Sequence, residues 1–104
     1  MGNYVLAYTG GAMGETPAEQ EAAMAEWMQW FGSLGDAVVD GGAPFGPSAT
    51  VAGDGGVATA GASALTGYSI ISADTLAAAC DAAKSCPVLN HGGAVEVYEA
   101  IPVA

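Results

Sequence analysis

Few residues in this chain have side chains suited to chemistry near neutral pH, and they concentrate at its end. The stretch "SCPVLNHGGAVEVYEA", residues 85–100, carries Cys86 and the single histidine, His91. An imidazole is the one side chain that titrates unassisted between pH 5 and 8, so His91 is the leading general acid/base candidate. The same residue fits a plain turn, because "LNHGG" is turn-forming sequence and Asn and His tolerate its backbone geometry. Cys86 follows a helical pattern and precedes Pro87, with Lys84 as the only nearby cation to lower its pKa. It reads as a buried small hydrophobe rather than a nucleophile.

Asp40 is the second catalytic candidate. It ends a strand pattern and is followed by Gly41 and Gly42, which let a ligand approach the backbone closely, although an Asp there also makes turns. Tyr8 and Tyr98 offer hydroxyls to a ligand, and Trp30, on the flank of a helical stripe, is the expected pocket wall. Trp27 falls within the stripe and is expected in the core. One histidine with scattered carboxylates gives no metal-ligand cluster, and "GDGG" lacks the lysine and following helix of a phosphate loop, so no metal or cofactor is expected.

Eleven Asp and Glu residues face a single cation, Lys84, for a net charge of −10. Phosphate neutralisation requires Lys and Arg, which excludes nucleic acid as a partner and disfavours anionic membranes. No apolar run approaches the ~20 residues that span a bilayer, and the start "MGNYVLAY" lacks the basic segment of an export signal. The cysteine spacing C-x5-C matches no zinc or redox motif, so the expectation is a cytoplasmic protein with reduced thiols.

A length of 104 residues sets one domain, residues 1–104. Its apolar content, 52 %, leans on Ala and Gly, which makes a thin core that a partner subunit would reinforce. "NYVLAY" (3–8) predicts a strand. Thr16, Pro17 and Glu19 form a capping-box start for a helix in which Met24, Trp27, Met28 and Phe31 make one apolar stripe, ended by Gly32 and Gly35. "DAVVDGG" predicts a second strand at 36–40. The Gly-rich segment 41–65 predicts a small hairpin around "GDGG". "TGYSIISA" predicts a third strand, Asp74 the cap of a second helix, and "AVEVYEAIPV" a last strand.

This order, β-α-β twice with an insert, predicts an α+β fold of ferredoxin-like βαββαβ type, with both helices on one face of a four-stranded antiparallel sheet. The other face carries Tyr, Val and Ile and predicts a homodimer that pairs sheet against sheet.

Three long stretches, "YVLAYTGG", "AMAEWMQWFGSLGDAVVDGGAPFG" and "TGYSIISADTLAAACDAAKSCPVLNHGGAVEVYEAIPV", together resemble the YCII-related family nearly end to end. "GAPFG" (42–46) is a partial match to the motif of the related DGPF-type branch. The resemblance implies a dimeric α/β barrel. In that family some members are thought to act on small organic molecules, chlorinated aromatics among them, and others accompany transcription sigma factors. One branch has a proposed catalytic pair, a His on the first helix and an Asp near the second strand. Here that helix position falls near Met24, so the pair does not carry over, although Asp36 and Asp40 lie near the second strand. The functional expectation is a homodimer binding a small apolar or aromatic molecule, with proton-transfer or isomerase-like chemistry through His91 and Asp40. The alternative is a non-catalytic dimeric accessory or regulatory partner.

Overall fold

The computed structural model describes residues 1–11 and 14–103. β1 (Gly2–Thr9) is followed by α1 (Pro17–Leu34), β2 (Val38–Pro44), the short strands β3 (Thr50–Val51) and β4 (Val57–Ala58), β5 (Leu65–Ala73), α2 (Leu76–Ala83), a 3-10 turn at Pro87–His91, and β6 (Ala94–Ala100). Four strands form one antiparallel sheet in the order β2-β5-β1-β6, and β3 and β4 pair separately. The fold is α+β, two helices against a four-stranded antiparallel sheet.

Alternation along β1 decides what the sheet buries. Tyr4, Leu6 and Tyr8 point to one face, in register with Ile71, Ser69 and Gly67 of β5. Ala79 and Ala83 of α2 and Trp30 of α1 join that same cluster, so both helices lie on one side. The small residues of α2 let the helix sit close to the sheet, and the bulk comes from Leu6, Ile71 and the tyrosines.

The start of α1 follows its sequence signature. Thr16 Oγ1 accepts from the Glu19 N–H at 3.1 Å, and Glu19 Oε2 accepts from the Thr16 N–H at 3.4 Å. This satisfies donors that the first helical turn leaves orphaned. Gly32 does not end the helix; Gly35 does, with φ of +57°.

The stripe predicted for α1 is rotated relative to its burial. Met24 and Met28 are 52 % and 71 % exposed, whereas Ala23 and Trp30 are buried. The Trp30 indole lies under the end of α2 and donates to Ser85 Oγ (3.1 Å) and the Ala82 carbonyl (3.3 Å). An indole that buries its ring while its N–H finds acceptors is a stable core residue.

Two further expectations change. Thr75, not Asp74, caps α2, its hydroxyl accepting from the Ala78 N–H at 3.0 Å. The second strand does not stop at Asp40 but runs to Pro44, because the sheet accommodates the two glycines as bulges. Its register to β5 shifts between Val38 and Asp40 and again between Asp40 and Ala43. Gly42 has φ of +75°, and a Cβ there would overlap the Tyr68 carbonyl oxygen. Only glycine fits. The predicted hairpin is present as β3 and β4, closed at "GDGG" by Asp54 Oδ1 accepting from the Gly56 N–H at 2.8 Å. No helix among the described residues is long and apolar enough to cross a membrane.

Candidate functional site

A cavity of about 480 Å³ opens between α1 and the sheet end where β1 leaves and β5 enters. Tyr8, Gly67 and Ser69 form its floor, Met24, Trp27, Met28 and Phe31 its helical wall, and the β2 bulge with Phe45 its rim. Val88 and His91 of the 3-10 turn close the remaining side. The size is that of small-molecule sites, and the walls are largely apolar and aromatic.

Aromatic contacts hold the wall in place. Trp27 meets the edge of Tyr8 at 5.1 Å between centroids and tilts onto Phe31 at 5.8 Å, while Phe45 stacks on Tyr68 at 5.8 Å. These are the offset and edge-on geometries that the ring quadrupole favours.

The turn that carries His91 is fixed by its neighbours. Gly92 takes φ of +80° to end it, and the Gly93 N–H bonds back to the Val88 carbonyl at 2.9 Å. At Gly93 a Cβ would collide with the Val88 side chain and lie 2.6 Å from the Thr9 carbonyl oxygen. The close passage of this turn against the end of β1 brings His91 to the cavity. Its Nε2 lies 3.1 Å from Oε2 of Glu26 on α1, with side-chain exposures of 33 % and 42 %. The turn reading of His91 and the pocket reading are therefore compatible.

Tyr8 lies on the cavity floor. Its hydroxyl donates to Ser69 Oγ at 2.8 Å, and Ser69 donates to the Gly41 carbonyl at 2.8 Å. This chain accounts for a fully buried serine and satisfies the carbonyl that the bulge turns inward. Burial pushes the Tyr8 phenol well above its ordinary pKa, only partly offset by the Ser69 hydrogen bond. Cys86 lies in the same core, and burial pushes its thiol up to about 11 against the opposing pull of the Val88 backbone and Tyr8 hydroxyl. A thiol so placed is inert at neutral pH.

The other expected site residues lie elsewhere. Asp40 does not line the cavity. Its Oδ1 accepts from the Gly42 N–H at 2.8 Å and its Oδ2 from the Tyr68 hydroxyl at 3.2 Å, which leaves it shaping the bulge rather than meeting His91. Tyr68, whose phenol the Asp40 charge holds above its ordinary pKa, is the lining residue that Asp40 reaches. Trp30 does not line the cavity, for the core packing described above, and Trp27 stands in its place. Tyr98 is 55 % exposed on the edge strand β6, off the cavity, and its hydroxyl bonds Glu96. Glu26 had no sequence signal, being one carboxylate among several on an acidic helix. Among the described residues no group of three or more His, Cys, Asp or Glu gathers in metal-binding geometry.

Comparison with protein-family models, with curated proteins and with solved structures finds no match to this chain. The functional reading therefore rests on the site itself.

Proposed function

We propose that this chain binds a small, flat, uncharged organic molecule in the cavity beside α1 and moves a proton to or from it through His91. The observation that carries the reading is an apolar, aromatic-walled cavity with the chain's single imidazole on its edge. An apolar wall favours a hydrophobic ligand, and an imidazole supplies the general acid/base. The one lysine, Lys84, is on the surface in a 2.9 Å pair with Asp81, which leaves the cavity without a cation for a carboxylate ligand.

The resemblance to the YCII-related family supports the same reading, as does the strand order β2-β5-β1-β6, which is that of a ferredoxin-like βαββαβ sheet with the β3–β4 hairpin inserted. On this reading two copies pair through the sheet face opposite the helices, where Val5, Ile70 and Tyr98 sit on neighbouring strands. Two free cysteines suit a cytoplasmic location.

The test is a thermal-shift screen of uncharged aromatic compounds, repeated on Trp27→Ala. A ligand at a hundredfold its Kd adds about 2.7 kcal/mol to apparent stability. A shift in the wild type that is lost in Trp27→Ala supports the site; a panel without any shift, or one that Trp27→Ala leaves unchanged, overturns it. Light scattering on a sizing column should report a dimer, and a monomer at micromolar concentration would refute the pairing.

A further inference from the structure

The contact between His91 and Glu26 has a direction. A carboxylate near neutral pH only accepts hydrogen bonds, so the ring nitrogen 3.1 Å from Glu26 Oε2 must be the donor. The neutral ring then carries its proton on Nε2 and its lone pair on Nδ1. Among the described residues Nδ1 has no protein partner, and Glu26 has no charged partner other than His91.

The two residues also belong to different spaces. His91 lines the apolar cavity. Glu26 lines a second, open groove of about 320 Å³ on the far side of α1, with Gln29, Trp30, Ser33, Ser85, Pro87 and Asn90 around it. The imidazole–carboxylate pair bridges the two spaces, with both side chains partly exposed.

We propose that Glu26 is the positioning residue of His91, holding it as the Nε2–H tautomer with Nδ1 as the base. The inference rests on the ligand-binding reading above and deepens it. A ligand X–H in the cavity gives its proton to Nδ1, the X–H bond breaking as Nδ1–H forms and the electron pair remaining on X. The imidazolium keeps its Nε2–H on the Glu26 carboxylate, which stabilises the added charge until the Nδ1 proton leaves again. Reversing the sequence returns a proton to the ligand, at the same atom or at another. No oxidant or further reactant is needed. The ligand class is thereby narrowed to molecules with a weakly acidic O–H or C–H, such as phenols and enolisable ketones. An inert hydrocarbon fills the same walls but has nothing to transfer.

The test is nitrogen-15 NMR of the ligand-free full chain, in which every imidazole signal belongs to His91. The neutral ring should show a protonated Nε2 and an unprotonated Nδ1. Its Nε2–H should exchange with water about tenfold more slowly than in Glu26→Ala, the size expected of a hydrogen bond to a charged acceptor. Glu26→Gln, whose amide oxygen can accept the same N–H, should keep the wild-type pattern. A wild-type ring protonated on Nδ1, or spectra of Glu26→Ala that match the wild type, would overturn the proposal. The wild-type tautomer alone decides the point should Glu26→Ala fold poorly. Because no ligand is used, an empty ligand screen with the Nε2–H tautomer intact would sink the binding reading and leave the positioning role standing.

Discussion

Raising the pH should weaken this protein first through one buried thiol, with the tyrosines joining as the pH nears 10. Cys86 is 1 % exposed, and its pKa is raised from 9.0 to about 11. The folded state therefore holds the thiol proton more tightly than the unfolded chain does. The stabilisation is complete below pH 9 and is lost as the pH climbs toward 11. Two pKa units correspond to about 2.7 kcal/mol in all, of which roughly half, about 1.4 kcal/mol, is gone by pH 10. For a domain of this size that is a fall in Tm of roughly 5–10 °C.

The comparison with Cys86→Ala isolates the thiol, because Tyr4, Tyr8, Tyr68 and Tyr98, all with raised pKa, begin to add their own loss as unfolded tyrosines ionise near pH 10. The assay is thermal melting by circular dichroism under reducing conditions at pH 8 and pH 10, in the wild type and in Cys86→Ala. The variant melts lower at both values because it leaves a small void, but its own drop between them should be clearly smaller. A wild-type Tm that stays level from pH 8 to 10 would refute the reasoning. So would equal drops in the two proteins, which would place the titrating group elsewhere.

Other outcomes follow from packing. Trp30→Ala should cost about 3–5 kcal/mol in urea unfolding, the range for truncating a buried aromatic, and Trp27→Ala clearly less because its ring faces an open cavity; equal costs would contradict the two environments. Gly42→Ala should cost more than ~2 kcal/mol, since its Cβ meets the Tyr68 carbonyl at a left-handed φ, while Gly41→Ala, with open space around it, should cost under ~1 kcal/mol. Matching unfolding midpoints for that pair would show that the bulge relaxes freely.

The elements that sequence reading located best are those with local signals. Thr16-x-x-Glu19 with Pro17 marked the start of α1, alternating Val95 and Val97 marked β6, and "GDGG" marked the hairpin turn. What escaped was the side of α1 that the sheet covers. Spacing at i, i+3, i+4 and i+7 says that Met24, Trp27, Met28 and Phe31 share a face, but not that anything rests on it. In this fold α1 lays Ala23 and Trp30 onto the core, Trp27 and Phe31 pack against its margin, and Met24 and Met28 look across a cavity. The continuation of β2 escaped for a related reason. Two glycines after Asp40 read as a stop, whereas Ser69, supplied from β5, accommodates the inward carbonyl and lets the strand resume. Glu26 and His91 are 65 residues apart, and only tertiary contact between α1 and the 3-10 turn joins them.

The hydrogen bonds around the cavity narrow its chemistry further. Four hydroxyl-bearing residues line it, and each has its proton committed within the protein. Tyr8 donates to Ser69, Ser69 to the Gly41 carbonyl, Thr66 to the carbonyls of Tyr8 and Gly10, and Tyr68 to Asp40. To act as a nucleophile or a donor toward a ligand, any of them would first have to break a bond that holds the β2 bulge or the end of β1. Asp40 belongs to that scaffold too, since moving it would release both Gly42 and Tyr68. His91 differs, because its bond to Glu26 uses one nitrogen and, among the described residues, Nδ1 has no protein partner. On the proposed reading, the rigid hydroxyls define where a ligand rests and Nδ1 is where its proton goes. If that reading holds, shape decides which molecules bind, and acidity which of those react.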